Sequence, residues 1–201
     1  KKTFGVEPNS ICEIAAHGSS RKYFRCSTEV VKVLGAYNSD KKENIAFVDF
    51  ARQLKHKGIN VPAIIAVDEE NDVYLLEDLG NTTLFDFIST ASENEIVDIY
   101  SKIVRTLPKI QIEAGRDFDF TNAYPRKAFD VQSLQWDLNY FKYYFLKLAD
   151  IPFNEQELEN DFEVLKDYLL NCDCNHLLYR DFQSRNIMIK DNYEIFFIDF
   201  Q

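Results

Sequence analysis

The most informative stretch of this sequence is Leu178-Tyr-Arg-Asp-Phe-Gln-Ser-Arg-Asn-Ile-Met-Ile189, followed after a polar turn by Glu194-Ile-Phe-Phe-Ile-Asp-Phe-Gln201. Asn186 follows Asp181 by five residues, and Asp199 follows Asn186 by thirteen. Each of these polar residues stands at the edge of an apolar run. The two runs predict strands joined by the turn at residues 191–193. Such a hairpin brings Asn186 and Asp199 together.

The residue types in this cluster suit phosphoryl transfer. A carboxylate such as Asp181, placed beside a substrate hydroxyl, can orient that group and accept its proton. Mg²⁺ prefers hard oxygen ligands, which Asn186 and Asp199 offer. Arg180 or Arg185 can add positive charge near phosphates or pair with a local acid. Asp and Asn also cap turns, but three such residues in this order favour a site.

The segments Tyr179-Arg-Asp-Phe-Gln-Ser-Arg-Asn186 and Phe197-Ile-Asp-Phe-Gln201 resemble the catalytic and metal loops of the aminoglycoside phosphotransferase and choline kinase superfamily. Within it they are most similar to bacterial N-acetylmuramate and N-acetylglucosamine anomeric sugar kinases. The resemblance implies an ATP-dependent small-molecule kinase with Asp181 as catalytic base and Arg180 beside it. It also implies that Asn186 and Asp199 bind Mg²⁺. The motif usually begins with His, where this chain has Tyr179, at a position that braces the loop.

The resemblance implies an α+β, two-lobed protein-kinase-like fold, with a small antiparallel-sheet N-lobe and a mainly helical C-lobe. The hydrophobic pattern agrees, since strands precede residue 80 and helices follow it. Strands are predicted at residues 11–15, 23–26, 30–34, 61–67 and 73–77, and a helix at residues 42–57. Apolar stripes predict further helices around residues 96–107, 134–148 and 158–169. We expect an N-lobe at residues 1–79 and a C-lobe at residues 80–201, truncated at its C-terminus.

A turn between the first two strands matches the position of a phosphate-covering loop. Its residues are Gly18, Ser19, Ser20 and Arg21. Backbone N–H groups and two hydroxyls there can cradle phosphates. The turn has a single glycine, so an ordinary hairpin turn is the alternative.

Lys32, in the third strand, is a candidate to bind the nucleotide phosphates. Glu43, at the start of the following helix, is the nearest candidate partner. A different strand register would instead place Lys32 on the solvent face. By resemblance, the segment from Glu77 to Leu79 is the hinge whose backbone binds adenine.

The composition narrows the classes of partner. A formal charge of −10 argues against a nucleic-acid surface. There is no apolar run of the ~20 residues that a membrane span needs. Four cysteines without zinc-ligand spacing indicate reduced thiols in a cytoplasmic protein. The expected partner is a small molecule with a hydroxyl group, either a sugar or an amino sugar.

Three functions remain open from the sequence. The first is a small-molecule kinase, of the sugar type or of the aminoglycoside or choline type. The second is a kinase-like protein that binds nucleotide without turnover, and the third is an unrelated interaction module. Asp137, Asn139 and Tyr140 interrupt an apolar helix and can face a substrate, although a solvated helix face is the commoner explanation.

Overall fold

The short strands before residue 80 form one antiparallel sheet. In the computed structural model, which describes residues 2–14 and 21–200, the spatial order of its strands is β1-β2-β3-β5-β4. The strands are β1 (Ser10–Ile14), β2 (Lys22–Ser27), β3 (Lys32–Tyr37), β4 (Ile64–Asp68) and β5 (Val73–Glu77). A separate hairpin pairs β6 (Ile187–Lys190) with β7 (Glu194–Phe197), as the sequence predicts.

The third strand begins two residues later than predicted, so Lys32 is its first residue rather than a residue in its middle. Val31 N–H donates to Thr28 Oγ1 at 3.0 Å, and Thr28 N–H donates to Val31 O at 2.8 Å. These bonds close a turn that leaves Val30 88% exposed. The strand therefore starts at Lys32 and runs on through Gly35.

Helix α1 (Lys41–His56) packs on the sheet. The carboxylate of Asp40 caps its N-terminus by accepting bonds from the N–H groups of Lys42 and Glu43. Gly58, at φ +78°, takes the left-handed conformation that ends the chain's helical path. The apolar face of the helix is buried, and Phe47 stacks on Tyr74 of β5 at 5.3 Å between ring centroids.

Two capped helices follow the sheet: α2 (Leu84–Ile88) and α3 (Glu93–Pro108). The α-helix ends at Pro108, but the helical path continues in wider π-helical turns over Lys109–Ala114. Proline has no N–H to continue the α-helical ladder, and the wider turns let the chain pass it.

Helices α4 (Val131–Phe141) and α5 (Glu155–Leu170) belong to a second compact unit, Arg126–Leu178. The first unit comprises Lys1–Pro125 and Tyr179–Gln201, so it holds both the sheet and the hairpin. The predicted lobe boundary at residues 79 and 80 divides the chain differently and stays a prediction.

Part of the predicted helical core is exposed. In the apolar stripe of α3, Ile103 is buried but Tyr100 is 39% exposed, and Ile99, outside that stripe, is buried. Phe145 is 53% exposed and stacks on Phe141 at the surface of the second unit. The apolar spacing therefore identified these helices but not which of their side chains are buried. Within the described ranges, the helices are too short or too polar to span a bilayer.

The hairpin packs against the end of β5. Leu79, Met188 and Phe196 form a buried cluster, with Ile198 packed against it. Beside this cluster, Lys190 Nζ donates to Glu77 Oε1 at 2.7 Å. Burial raises the pKa of the Glu77 carboxyl, but the hydrogen bonds from Lys190 and the Ala63 N–H, together with nearby lysine charge, outweigh it, so the pKa lies below its ordinary value. The same bond raises the pKa of Lys190.

The ion pair predicts a pH-dependent stability. A carboxyl group with a lowered pKa stabilises the fold above its unfolded pKa of 4.5, and this contribution is lost as the pH falls through the folded value. We expect Lys190→Met to lower the free energy of unfolding by about 1 kcal/mol at pH 7. The difference from wild type should shrink as the pH falls from 4.5 through the lower folded-state pKa. Urea denaturation at pH 7 and pH 3.5 measures it.

Lys102→Met, at an exposed position of α3, is the control for loss of a lysine. Its effect should be the same at both pH values. A destabilisation by Lys190→Met that persists undiminished at low pH would contradict the role of Glu77.

Candidate functional site

The loop before β6 is held by its own backbone. Gln183 N–H donates to Asp181 O at 2.8 Å, and Asn186 N–H donates to Gln183 O at 2.9 Å. A 3-10 turn over Ser184–Asn186 then leads directly into the strand. These bonds fix the backbone of Asp181 while its side chain stays exposed to solvent.

Asn186 links the other two predicted site residues. Its Nδ2 donates to Asp181 O at 3.1 Å and approaches Asp199 Oδ2 at 3.3 Å. The hairpin causes this proximity, because Ile187 pairs with Phe197 and Ile198 N–H donates to Asn186 O at 3.0 Å. The sequence prediction that Asn186 and Asp199 meet is therefore confirmed at the level of geometry.

Asp199 is electrostatically and conformationally unusual. The surrounding protein desolvates its carboxyl group and thereby raises its pKa, and the charge of Asp181 raises it further. Arg21 opposes this shift and Glu43 adds to it, so both residues act on the same carboxylate. The backbone of Asp199 has φ 58°, in the left-handed region that few residues other than glycine adopt. Asp and Asn tolerate that region better than most residues.

Tyr179 braces the loop, as the resemblance implies for its position. The side chain is 5% exposed, and its hydroxyl donates to the carbonyl of Ile198, with Asn186 O also within 3.3 Å. Burial, and then the charges of Asp199 and Asp181, raise the pKa of Tyr179, so it stays protonated and able to donate. Its ring also contacts Phe182 and Phe197 edge to face.

The two arginines of the loop differ in position. Arg180 is exposed next to Asp181. The Arg185 guanidinium lies 3.8 Å from the ring centroid of Phe85 on α2, so a cation–π contact holds it there. Whether Arg185 adds charge near phosphates or pairs with a local acid stays a prediction.

Arg21 and Glu43, whose charges both act on Asp199, form an ion pair with each other. Arg21 Nη2 donates to Glu43 Oε1 at 2.7 Å, and the arginine side chain is 4% exposed. Asn38 Nδ2 donates to the second carboxylate oxygen of Glu43, also at 2.7 Å. The sequence left open whether Lys32 pairs with Glu43. In the structure, Glu43 pairs with Arg21. Gly18, Ser19 and Ser20 lie outside the described residues.

Lys32 lies at the other end of β3. It lines a cavity of about 570 Å³ beside the predicted hinge. The other lining residues are Arg25, Asp78, Leu79, Gly80, Asn81, Thr82, Phe87, Ile189, Lys190, Asp191, Asn192 and Tyr193.

Within the predicted hinge, Glu77 N–H already donates to Ala63 O at 2.9 Å, and Leu79 is buried in the hairpin cluster. Asp78 is bound by Arg25, whose Nε and Nη2 donate to its two carboxylate oxygens at 2.7 and 2.9 Å. The roles of Glu77 and Leu79 in binding adenine stay predictions.

Sequence reasoning missed two features of the site. The first is the Tyr179 hydroxyl bond to Ile198, which depends on the depth at which the ring is buried. The second is Asn38, which fixes Glu43 and follows directly on β3. A polar residue at the end of a strand, five residues before the candidate acid, was the available signal.

The comparison with protein families covers nearly the whole chain. The model of the APH group, described as the phosphotransferase enzyme family, matches residues 10–201. The chain belongs to this family. An N-acetylmuramate/N-acetylglucosamine kinase of Pseudomonas aeruginosa is 24% identical to it over 196 residues. That match covers 92% of this chain and 53% of the kinase, so the chain spans about half the length of this relative.

Solved structures of kinases align with this chain and confirm the predicted protein-kinase-like fold. A protein designated a fructosamine-3-kinase from Haemophilus somnus 129PT aligns with a TM-score of 0.62 and 19% identity, over 98% of this chain and 68% of that one. The streptomycin–ATP–APH(2″)-IIa ternary complex aligns with a TM-score of 0.59 and 13% identity, over 99% and 67% of the two chains. The choline kinase LicA from Streptococcus pneumoniae aligns at 0.50 and 13%, over 97% and 64%. Similarity at these identities establishes a kinase-like fold.

The candidate substrate residues lie on α4, in the second unit of this family member. Asn139 Oδ1 accepts a hydrogen bond from Gln135 Nε2 at 3.2 Å, and Tyr140 stacks on Tyr144 at 4.5 Å. Asp137 is half-buried on the same helix. That these side chains meet a substrate stays a prediction.

The brace formed by Tyr179 can be tested by removing one oxygen atom. Tyr179→Phe keeps the ring contacts but leaves the carbonyl of Ile198 without this donor. We expect the free energy of unfolding to fall by about 1 kcal/mol, the worth of one buried hydrogen bond. Urea denaturation measures the change.

The matched control is Tyr168→Phe, because Tyr168 is 71% exposed. Its unfolding free energy should stay within about 0.5 kcal/mol of wild type. If the two substitutions lowered the unfolding free energy equally, the Tyr179 hydroxyl would not stabilise the loop.

Proposed function

We propose that this chain carries the site of an ATP-dependent phosphotransferase that transfers the γ-phosphate to a hydroxyl group of a sugar or amino sugar. One observation carries the proposal: Asn186 bonds to the Asp181 backbone and approaches the Asp199 carboxylate, so that the hairpin and the loop before it hold a candidate base beside two side chains that carry hard oxygen atoms. Membership of the phosphotransferase family supports the same reaction class.

Asn186 and Asp199 fit Mg²⁺ by their chemistry. Their side chains meet at 3.3 Å, and the negative charge of Asp181 acts on the Asp199 carboxylate. Among the residues that the structure describes, no group of three or more His, Cys, Asp or Glu forms a metal site. Mg²⁺ commonly takes one or two protein oxygens and completes its shell with phosphates and water. When bound, it would neutralise charge on the phosphates during transfer.

Asp181 acts as the base in this proposal. Its exposed carboxylate orients the acceptor hydroxyl and takes the proton as the new oxygen–phosphorus bond forms. The bond between the γ-phosphorus and the bridging oxygen breaks, and ADP leaves with that oxygen. The proton then passes from Asp181 to solvent. Arg180, exposed beside the base, adds positive charge at this end of the site.

The nucleotide base lies at the hinge end in this proposal. The cavity beside Leu79 and Gly80 has a volume of about 570 Å³, within the usual range for ligand pockets. Strand β6 leads from Asn186 to this cavity, since Ile189 and Lys190 line it. A nucleotide lying along the hairpin would therefore reach from the cavity to the metal ligands.

A sugar is the acceptor that the relatives favour. The Pseudomonas aeruginosa protein is named a kinase of N-acetylmuramate and N-acetylglucosamine. The Haemophilus somnus structure bears the name of a fructosamine-3-kinase. We therefore expect ADP release with hexosamines or hexoses to exceed that with aminoglycosides or choline. Nucleotide binding without turnover on any of these acceptors would contradict the proposal.

Asp199→Asn tests the metal assignment. Asparagine tolerates the left-handed backbone at this position, so the substitution removes charge with little added strain. We expect the rise in melting temperature caused by ATP with Mg²⁺ to disappear. Asp98→Asn, at an exposed position of α3 away from the site and the cavity, should keep the full shift. A full shift in Asp199→Asn would argue against the metal assignment.

Asp181→Asn tests the base assignment. The amide cannot accept the hydroxyl proton, so we expect kcat to fall by about 100-fold or more, as is typical of general bases. The dissociation constant of ATP should change little, because Asp181 is not a proposed metal ligand. Steady-state ADP release and calorimetric titration give the two quantities. An unchanged kcat would exclude Asp181 as the base.

A further inference from the structure

The ion pair between Arg21 and Glu43 is buried and fixed in several ways. The arginine side chain is 4% exposed, and its Cζ lies 5.0 Å from the ring centroid of Phe47. Glu43 is anchored in turn, since Arg21 and Asn38 each donate to one of its carboxylate oxygens at 2.7 Å. The guanidinium is therefore held by a carboxylate and an aromatic ring on α1.

Stability alone does not account for such a pair. Burying two charges has a large desolvation cost, and replacing buried ion pairs by apolar residues is often neutral or stabilising. A fixed cation in a poorly solvated place does have one clear advantage, because its attraction for an anion is strong there. An arginine also presents five N–H donors in a planar fork, so it can bridge a carboxylate and a phosphate at once.

The sheet register separates Arg21 from Lys32. Lys22 pairs with Tyr37, and Lys32 pairs with Ser27, so the two cations flank opposite ends of β3. The five residue steps from Lys32 to Tyr37 span roughly 17 Å at about 3.3 Å per residue. Arg21 and Lys32 therefore lie near opposite ends of β3.

Arg21 is at the end that faces Asp199. Phe47, over which Arg21 lies, stacks on Phe200 at 5.3 Å between ring centroids. Phe200 directly follows Asp199 in the chain. Lys32 instead lines the cavity at the hinge. Of these two cations, Arg21 rather than Lys32 lies next to the proposed metal ligands.

We propose that Arg21, positioned by Glu43, is the cation that binds the phosphate oxygens of the nucleotide. Lys32, the only cationic residue of β3, does not take this role. The phosphate anchor of this chain thus comes from the segment that enters β2. This role rests on the proposed function, because it requires a nucleotide whose phosphates lie beside Asp199.

The test compares ligands with and without phosphates. Calorimetric titration of the full chain with adenosine, ADP and ATP, each with Mg²⁺, gives dissociation constants for wild type and Arg21→Gln. We expect Arg21→Gln to weaken ATP binding by about tenfold or more, the usual effect of losing a charge-assisted hydrogen bond. Its affinity for adenosine should stay within about twofold of wild type, and Arg21→Lys should recover part of the ATP affinity.

Two further variants serve as controls. Arg52→Gln removes the same charge from an exposed position on α1, so it should leave ATP affinity within about twofold. Lys32→Gln should weaken ATP binding less than Arg21→Gln does. Thermal denaturation of each variant separates misfolding from loss of a contact, and Arg21→Lys keeps the test valid if Arg21→Gln does not fold.

The outcomes distinguish this role from the proposed function. If wild type binds ATP but Arg21→Gln binds it equally well, Arg21 is not the anchor and the proposed function stands. Equal weakening of adenosine and ATP would mean that Arg21 only supports the fold. If wild type binds no nucleotide, both proposals fail.

Discussion

The pairing of Ile187 with Phe197 is the constraint on which the candidate site depends. It brings Asn186 and Asp199, which are thirteen residues apart, to a side-chain distance of 3.3 Å. A slip of one residue would turn every side chain of the hairpin to its opposite face. Met188 and Phe196 prevent that slip, because both are buried against Leu79. The apolar face of the hairpin therefore sets the geometry of its polar end.

The charges around this hairpin are unevenly distributed. Asp181 and Glu43 both act to raise the pKa of Asp199, and Arg21 acts to lower it. The three carboxylates therefore outnumber the one buried guanidinium. Under the proposed function, a divalent cation would meet the carboxylates and the arginine would meet the phosphates, so the charges would balance when both are bound. The proposed roles therefore suit a metal–nucleotide complex better than either component alone.

The sequence predicted the hairpin well because each of its polar residues ends an apolar run, a signal that local spacing contains. The five strands and the helix before residue 80 were predicted for the same reason.

Local spacing could not predict that Arg21 is the partner of Glu43. Arg21 is 22 residues away and outside any strand, whereas Lys32 follows a run of β-branched residues. Where Lys32 falls depends on the Thr28 hydroxyl, which bonds to Val31 N–H and delays the start of β3. The exposure of Phe145 could not be predicted either. Periodicity identifies the apolar face of a helix, but it does not show whether other parts of the protein cover that face.

The backbone of Asp199 connects these local features. A non-glycine residue at φ 58° is strained, and it persists only where its neighbours fix it on both sides. Before Asp199, Tyr179 and Asn186 bond to the backbone of Ile198. After it, the ring of Phe200 stacks on Phe47 of α1, the residue over which Arg21 lies. Displacing α1 would therefore disturb the Asp199 carboxylate and the Arg21 guanidinium together. The two groups that would meet opposite charges of a metal–nucleotide complex are thus coupled through one aromatic stack.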